Sequence, residues 1–135
     1  MVKRGEIYLD KNFIYPAGNI DDKYLLIVNK AFQPGNPIFV ATATTKFDSE
    51  KNKPGCNHRI FSFLLKANED FFKEDTLLQL FIINYPLTEI YFTKKKQTGD
   101  IEFRAIMNNE VINKIMKCIN EIKDDITSGY HKYLF

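Results

Sequence analysis

Near the C-terminal end, and in contrast to everything before it, apolar residues recur at helical spacing. Val111, Ile112, Ile115, Met116, Ile119, Ile122 and Ile126 fall on one stripe. Asn108 or Asn109 can serve as the N-cap, and Gly129 is placed to close the helix. Upstream, the apolar residues come in short runs separated by turn signals, the signature of strands. Glu6 to Leu9 reads as a first strand entered through Gly5, and residues 10–22, with Pro16 and Gly18, as a loop. Tyr24 to Asn29 and Ile38 to Thr45 read as strands joined across Pro34-Gly35, an antiparallel hairpin. Lys46 to Asn57 is too polar for a core and reads as a loop, and His58 to Leu65 as a fourth strand. Asn68 to Phe72 reads as a helical turn, and Thr76 to Asn84 as a central strand ended by Pro86. Glu89 to Thr93 and Ile101 to Ile106 alternate and flank KKKQTGD, a hairpin-like turn. The expectation is a mainly β domain with α. It is a small SH3-like barrel or highly curved sheet of six or seven short antiparallel strands, capped by the C-terminal amphipathic helix.

The chain has 135 residues, enough for one domain with one core, so residues 1–135 are read as a single domain. Twelve Phe and seven Tyr with no Trp favour strands over a helical bundle. The net charge of +2, with acids and bases interspersed, excludes a polybasic nucleic-acid binder; any such contact comes from a local patch. The start, MVKRGEIYL, lacks the apolar core of a signal peptide, and no apolar run reaches the roughly 20 residues that span a bilayer. These features predict a cytoplasmic protein, with no membrane partner, whose Cys56 and Cys118 stay reduced.

Cys56 and His58 stand without the further ligands a structural zinc site needs, and no Gly-rich phosphate loop or nucleophile elbow is present, so no metal or cofactor is expected. Lys94, Lys95 and Lys96 read as a solvated hairpin tip or a phosphate contact. In ATATTK, alternation puts Val40, Thr42 and Thr44 on one face of their strand. The start of an antiparallel strand lies beside the end of its neighbour, which brings Lys23 next to Thr44 at one rim. A cation beside a hydroxyl makes a modest phosphate or oxyanion site. Thr is a common strand residue and Lys a common rim residue, so by itself the pair reads first as an ordinary strand end.

Four pieces, in order, resemble the MazF/PemK (Kid-like) family of toxins from type II toxin–antitoxin systems. Lys3-Arg4-Gly5-Glu6-Ile7-Tyr8 looks like the family's opening RGEIY or RGDVY, and residues 23–29 are similar to its RPVLVI(S/Q)N. Phe39 to Thr44 looks like its strand ending VAAIT, and Asp75-Thr76-Leu77-Leu78 is similar to its DSVV. His58 falls where several members have a His, and the closing helix fits.

The resemblance implies an SH3-like barrel, usually a homodimer, held inactive by a cognate antitoxin. It implies a metal-independent endoribonuclease that cuts single-stranded RNA by attack of the 2′-hydroxyl on its own phosphate. By position, Lys23 matches the family's catalytic Arg and Thr44 its hydroxyl, with Arg4, His58, Arg59 and Lys46 as candidate RNA contacts. Lys23 lacks the planar fork of Arg, Tyr24 replaces the Pro, and only Gln79 is polar where members often carry Glu-Gln or Cys-Asp. Two other readings remain. One is a non-catalytic barrel that binds RNA or a protein, with Phe39, Phe61 and Tyr91 as stacking surfaces if exposed. The other is a toxin of the CcdB type acting on a protein target through the aromatic tail Tyr130 to Phe135, for which packing on the barrel is the plainer role.

Overall fold

The computed structural model describes residues 2–135. Among these residues the chain forms seven strands: β1 (Glu6–Ile14), β2 (Ile20–Ile27), β3 (Val40–Thr44), β4 (Gly55–Asn57), β5 (Ser62–Leu65), β6 (Thr76–Gln79) and β7 (Ile101–Ile106). Three α-helices accompany them: α1 (Glu89–Gln97), α2 (Asn109–Glu121) and α3 (His131–Leu134). All pairings are antiparallel, in one sheet of order β4-β5-β6-β3-β2-β1-β7. The expected barrel closure is not found: among the described residues no pairing joins β4 to β7, and the sheet keeps two ends.

Both faces of the sheet are covered, and strand alternation sorts the core in two. Ile7, Leu26, Ala41 and Leu78 face α2, packing on Val111, Ile115 and Ile119. Tyr8, Leu25, Ile27 and Val40 face the other way, with Phe92 of α1. Asn108 caps α2, its side chain accepting from the Glu110 N–H.

Several elements depart from the sequence expectation. Residues 10–22 are no loop. β1 and β2 run through them as a long hairpin whose turn closes with Gly18 N–H donating to Tyr15 O at 2.8 Å, Gly18 sitting at φ 96°. A register shift between Asp10 and Phe13, with Asn12 at φ 63°, bulges β1 there. The expected strand His58 to Leu65 is a short hairpin instead, with His58–Ile60 as a single 3₁₀ turn between β4 and β5. The central strand stops at Gln79, and Leu80–Asn84 winds into a 3₁₀ helix that buries Leu80, Ile82 and Ile83. An unbroken apolar run has no period that would reveal such a switch. Likewise, α2 ends at Glu121, well before Gly129, and 3₁₀ turns carry Ile122 and Ile126 to their buried places.

The largest correction concerns Glu89 to Gln97, expected as strand and hairpin tip and found as α1. The Thr88 side chain accepts from the Tyr91 N–H, a helix N-cap that outweighs five residues of apparent alternation. Lys95 is then no solvated tip. Its ammonium pairs with Asp10, which is fully buried, and donates to Lys11 O at 2.7 Å, while the Tyr91 hydroxyl donates to Asp10 Oδ2 at 2.9 Å. Burial pushes the Asp10 carboxyl up, against the pull of Lys95 and Tyr91. Burial alone would lower the Lys95 ammonium, but its hydrogen bond and charge contact with Asp10 hold it above its ordinary value. This cluster and the edge-to-face pair Tyr8–Phe92, 5.0 Å between centroids, fasten α1 to the sheet.

The expectation of two reduced thiols also fails: Cys56 of β4 and Cys118 of α2 form a disulfide, with Cα atoms 5.4 Å apart. Their 62-residue separation hid the contact, which exists because the β4–β5 hairpin folds back under α2.

Candidate functional site

The β2–β3 register pairs Tyr24 with Ala43 and Leu25 with Thr42, so Lys23 and Thr44 follow as the next opposed positions at the rim. Both line a cleft of about 570 Å³ where β3 ends beside the middle of β2, with Lys46, Lys73, Glu74 and Phe71. Three of the residues singled out by sequence, Lys23, Thr44 and Lys46, are therefore together.

Their chemistry is constrained. The Lys23 side chain is 15% exposed, its Nζ 3.6 Å from Asp21 Oδ2 and 5.9 Å from the Tyr15 ring centroid. The Asp21 carboxylate is 63% exposed. The Thr44 hydroxyl accepts from the Lys46 N–H at 3.2 Å, stitching the turn that follows β3. Thr42, on the same face but deeper, donates its hydroxyl to Gln79 Oε1 at 2.7 Å.

The other candidates lie apart. Arg4 Nε donates to Val28 O at 3.0 Å and its Nη2 to Leu134 O at 2.5 Å, tying the C-terminal segment to the sheet. Burial lowers the pKa of this guanidinium. Replacing Arg4 with Met is expected to lower folding stability by about 2–3 kcal/mol, as expected where hydrogen bonds from a charged donor are lost. A urea titration of the variant against wild type checks it. His58 and Arg59 are exposed on the 3₁₀ turn and line no part of the cleft. Phe39 is fully buried, Tyr91 is held by Asp10, and Phe61 packs on the α2-side core, so none of the three is an open stacking surface. The tail is docked: Tyr130 and Tyr133 pack on Phe39, and Leu134 is buried. Lys30 reaches back to it, its N–H donating to Tyr133 O at 2.7 Å and its Nζ to Phe135 O at 3.0 Å. Asp75 latches the β5–β6 turn, accepting from Lys66 Nζ and the Ala67 N–H, which hold its carboxyl below the ordinary range.

Behind Lys23 a second cleft, about 440 Å³, opens on the α1 face. Lys23 and Asp21 line both clefts. Gln79 borders the second one, and its Oε1 accepts from both Thr42 and the Tyr15 hydroxyl, the latter at 3.0 Å. Its single signal in the sequence was being polar inside an apolar run. Among the described residues, no group of three or more His, Cys, Asp or Glu is placed to hold a metal ion, and no helix is long and apolar enough to cross a membrane.

Comparison of the chain with protein-family models, with curated proteins and with solved structures returns no match.

Proposed function

We propose that the protein is a toxin-like endoribonuclease acting on single-stranded RNA, working as a homodimer restrained by an antitoxin, on an opened variant of the SH3-like barrel. The observation that carries this reading is the juxtaposition of Lys23 and Thr44 at the rim of one cleft with Lys46 and Lys73. The resemblance of residues 3–8 to the family's opening motif supports it.

In the reaction the 2′-hydroxyl oxygen bonds to the adjacent phosphorus and the bond from phosphorus to O5′ breaks. The hydroxyl proton passes to water, and the departing O5′ gains a proton from solvent. The products are a 2′,3′-cyclic phosphate and a 5′-hydroxyl. Charge builds on the non-bridging phosphate oxygens, where the Lys23 ammonium stabilises it once Asp21 moves off. The Thr44 hydroxyl, released from Lys46, donates to the same group. Lys46 and Lys73 hold flanking phosphates.

Purified protein incubated with single-stranded RNA in EDTA tests the reading. Cleavage is expected, lowered about 100-fold or more in Lys23→Ala and about 10–100-fold in Thr44→Ala. Asp21→Asn is expected to bind RNA a few-fold more tightly because it unpairs Lys23. No cleavage by wild type, or equal cleavage by wild type, Lys23→Ala and Thr44→Ala, would remove the enzyme. One observation favours a second reading, RNA binding without cutting: Lys23 and Thr44 are both already engaged, by Asp21 and the Lys46 N–H. Saturable affinity with no product distinguishes it.

A further inference from the structure

We propose that the second cleft, between the β1–β2 hairpin and the 3₁₀ helix after β6, receives one unstacked base of the RNA strand whose phosphate lies at Lys23. This rests on the RNA-binding reading above and names what that reading leaves open, the element that selects single strands.

The 3₁₀ helix turns Leu80, Ile82 and Ile83 inward and leaves Phe81 43% exposed, with Tyr85 just beyond it 55% exposed. Both line the second cleft, and two large exposed aromatics in one cleft have no packing role to explain them. They offer flat faces to any base, and a base stacks on such a face regardless of sequence. Gln79 provides orientation. Tyr15 and Thr42 both donate to Gln79 Oε1, which fixes the amide plane and saturates that oxygen. The amide nitrogen keeps its two N–H donors and reaches solvent, since no buried side-chain nitrogen in the described residues lacks a partner. Gln79 lines the cleft, so these donors suit a base edge carrying an acceptor, such as a carbonyl oxygen.

Lys23 connects the two sites. Lining both clefts, it lets a phosphate at its ammonium stand between the catalytic rim on one side and the stacked base on the other. A duplex cannot enter, because its bases are paired and stacked. A nucleotide is the occupant argued for because the cleft shares Lys23 with the rim where the phosphate is placed, so one phosphate and its own base reach both clefts at once.

The test is binding of a mixed-sequence RNA dodecamer carrying 2′-O-methyl riboses, which lacks the attacking hydroxyl and so reports affinity without cleavage. It is titrated at several salt concentrations against wild type, Phe81→Ala/Tyr85→Ala, Gln79→Glu and Lys23→Ala. Gln79→Glu retains an acceptor for Tyr15 and Thr42 but removes the free donors, so its melting temperature should hold. The two aromatic truncations lie at the surface, and a melt confirms they fold. Expected are losses of about 10-fold or more for the aromatic pair and a clear loss for Gln79→Glu. The salt slope should be unchanged in the aromatic pair, but lowered by about 0.7 in Lys23→Ala. If Lys23→Ala weakens binding while both cleft variants bind within twofold of wild type, the base cleft is overturned and RNA binding stands. Duplex RNA bound as tightly as the single strand overturns it as well. No binding of any RNA by wild type sinks the cleft together with the function it rests on.

Discussion

Replacing Lys95 with Met is expected to destabilise the fold by about 3–5 kcal/mol, because it strands the Asp10 carboxylate in the core without its cation. Asp10 is wholly buried, and its two strong partners, Lys95 and Tyr91, both come from α1. For a domain whose total stability is on the order of 5–15 kcal/mol, that is a large share. The melting temperature should fall by roughly 10–20 °C. Adding Asp10→Asn should recover most of the loss, since the amide can still meet the Tyr91 hydroxyl and no charge is left behind. A single variant as mild as an exposed-lysine change, within about 0.5 kcal/mol, would show that the carboxylate reaches solvent. pH supplies a second measure. Because the folded state holds the Lys95 ammonium above its ordinary value, its contribution is complete below about pH 10.4, the unfolded lysine range. It is then lost as pH rises through the higher folded value. Wild type should therefore lose stability there more steeply than the Asp10→Asn/Lys95→Met protein.

Reduction of the Cys56–Cys118 bridge is expected to lower stability by about 2–4 kcal/mol, the usual worth of a cross-link that closes a long loop. The bridge spans 62 residues and encloses β5, β6, α1 and β7. Urea unfolding with and without reductant should give separate midpoints for wild type and one shared midpoint for Cys56→Ser. Two free thiols titrating in the native, unreduced protein, with no midpoint shift, would overturn the bridge.

How much of this was legible beforehand depended on whether the deciding force was local. Lys23 beside Thr44 was readable because two extended strands joined by a Pro-Gly turn have one sensible antiparallel register. The α2 stripe and its Asn108 cap were readable for the same reason. Other features were set by distant partners. Lys95 looked solvated because its acid lies 85 positions away in β1. Arg4 looked like an RNA contact because the carbonyl it holds, that of Leu134, is 130 positions away. Glu89 to Thr93 alternates as a strand would, and only the Thr88 cap argued otherwise. Gln79 and Phe81 gave almost no signal, since what matters about them is the 3₁₀ turn that separates their directions.

The pairing of β1 with β7 has a consequence for synthesis. Glu6 lies opposite Ile106, and Arg4 waits for Leu134, so β1 cannot complete its side of the sheet until β7 and the tail that follows α2 have been made. Contacts this far apart in sequence form late and slowly. Through most of translation the nascent β1–β2 hairpin carries a bare outer edge, a template for pairing with another chain. Emergence of β7 and the docked tail, rather than growth of the strands before them, is then the step that commits this domain to its fold.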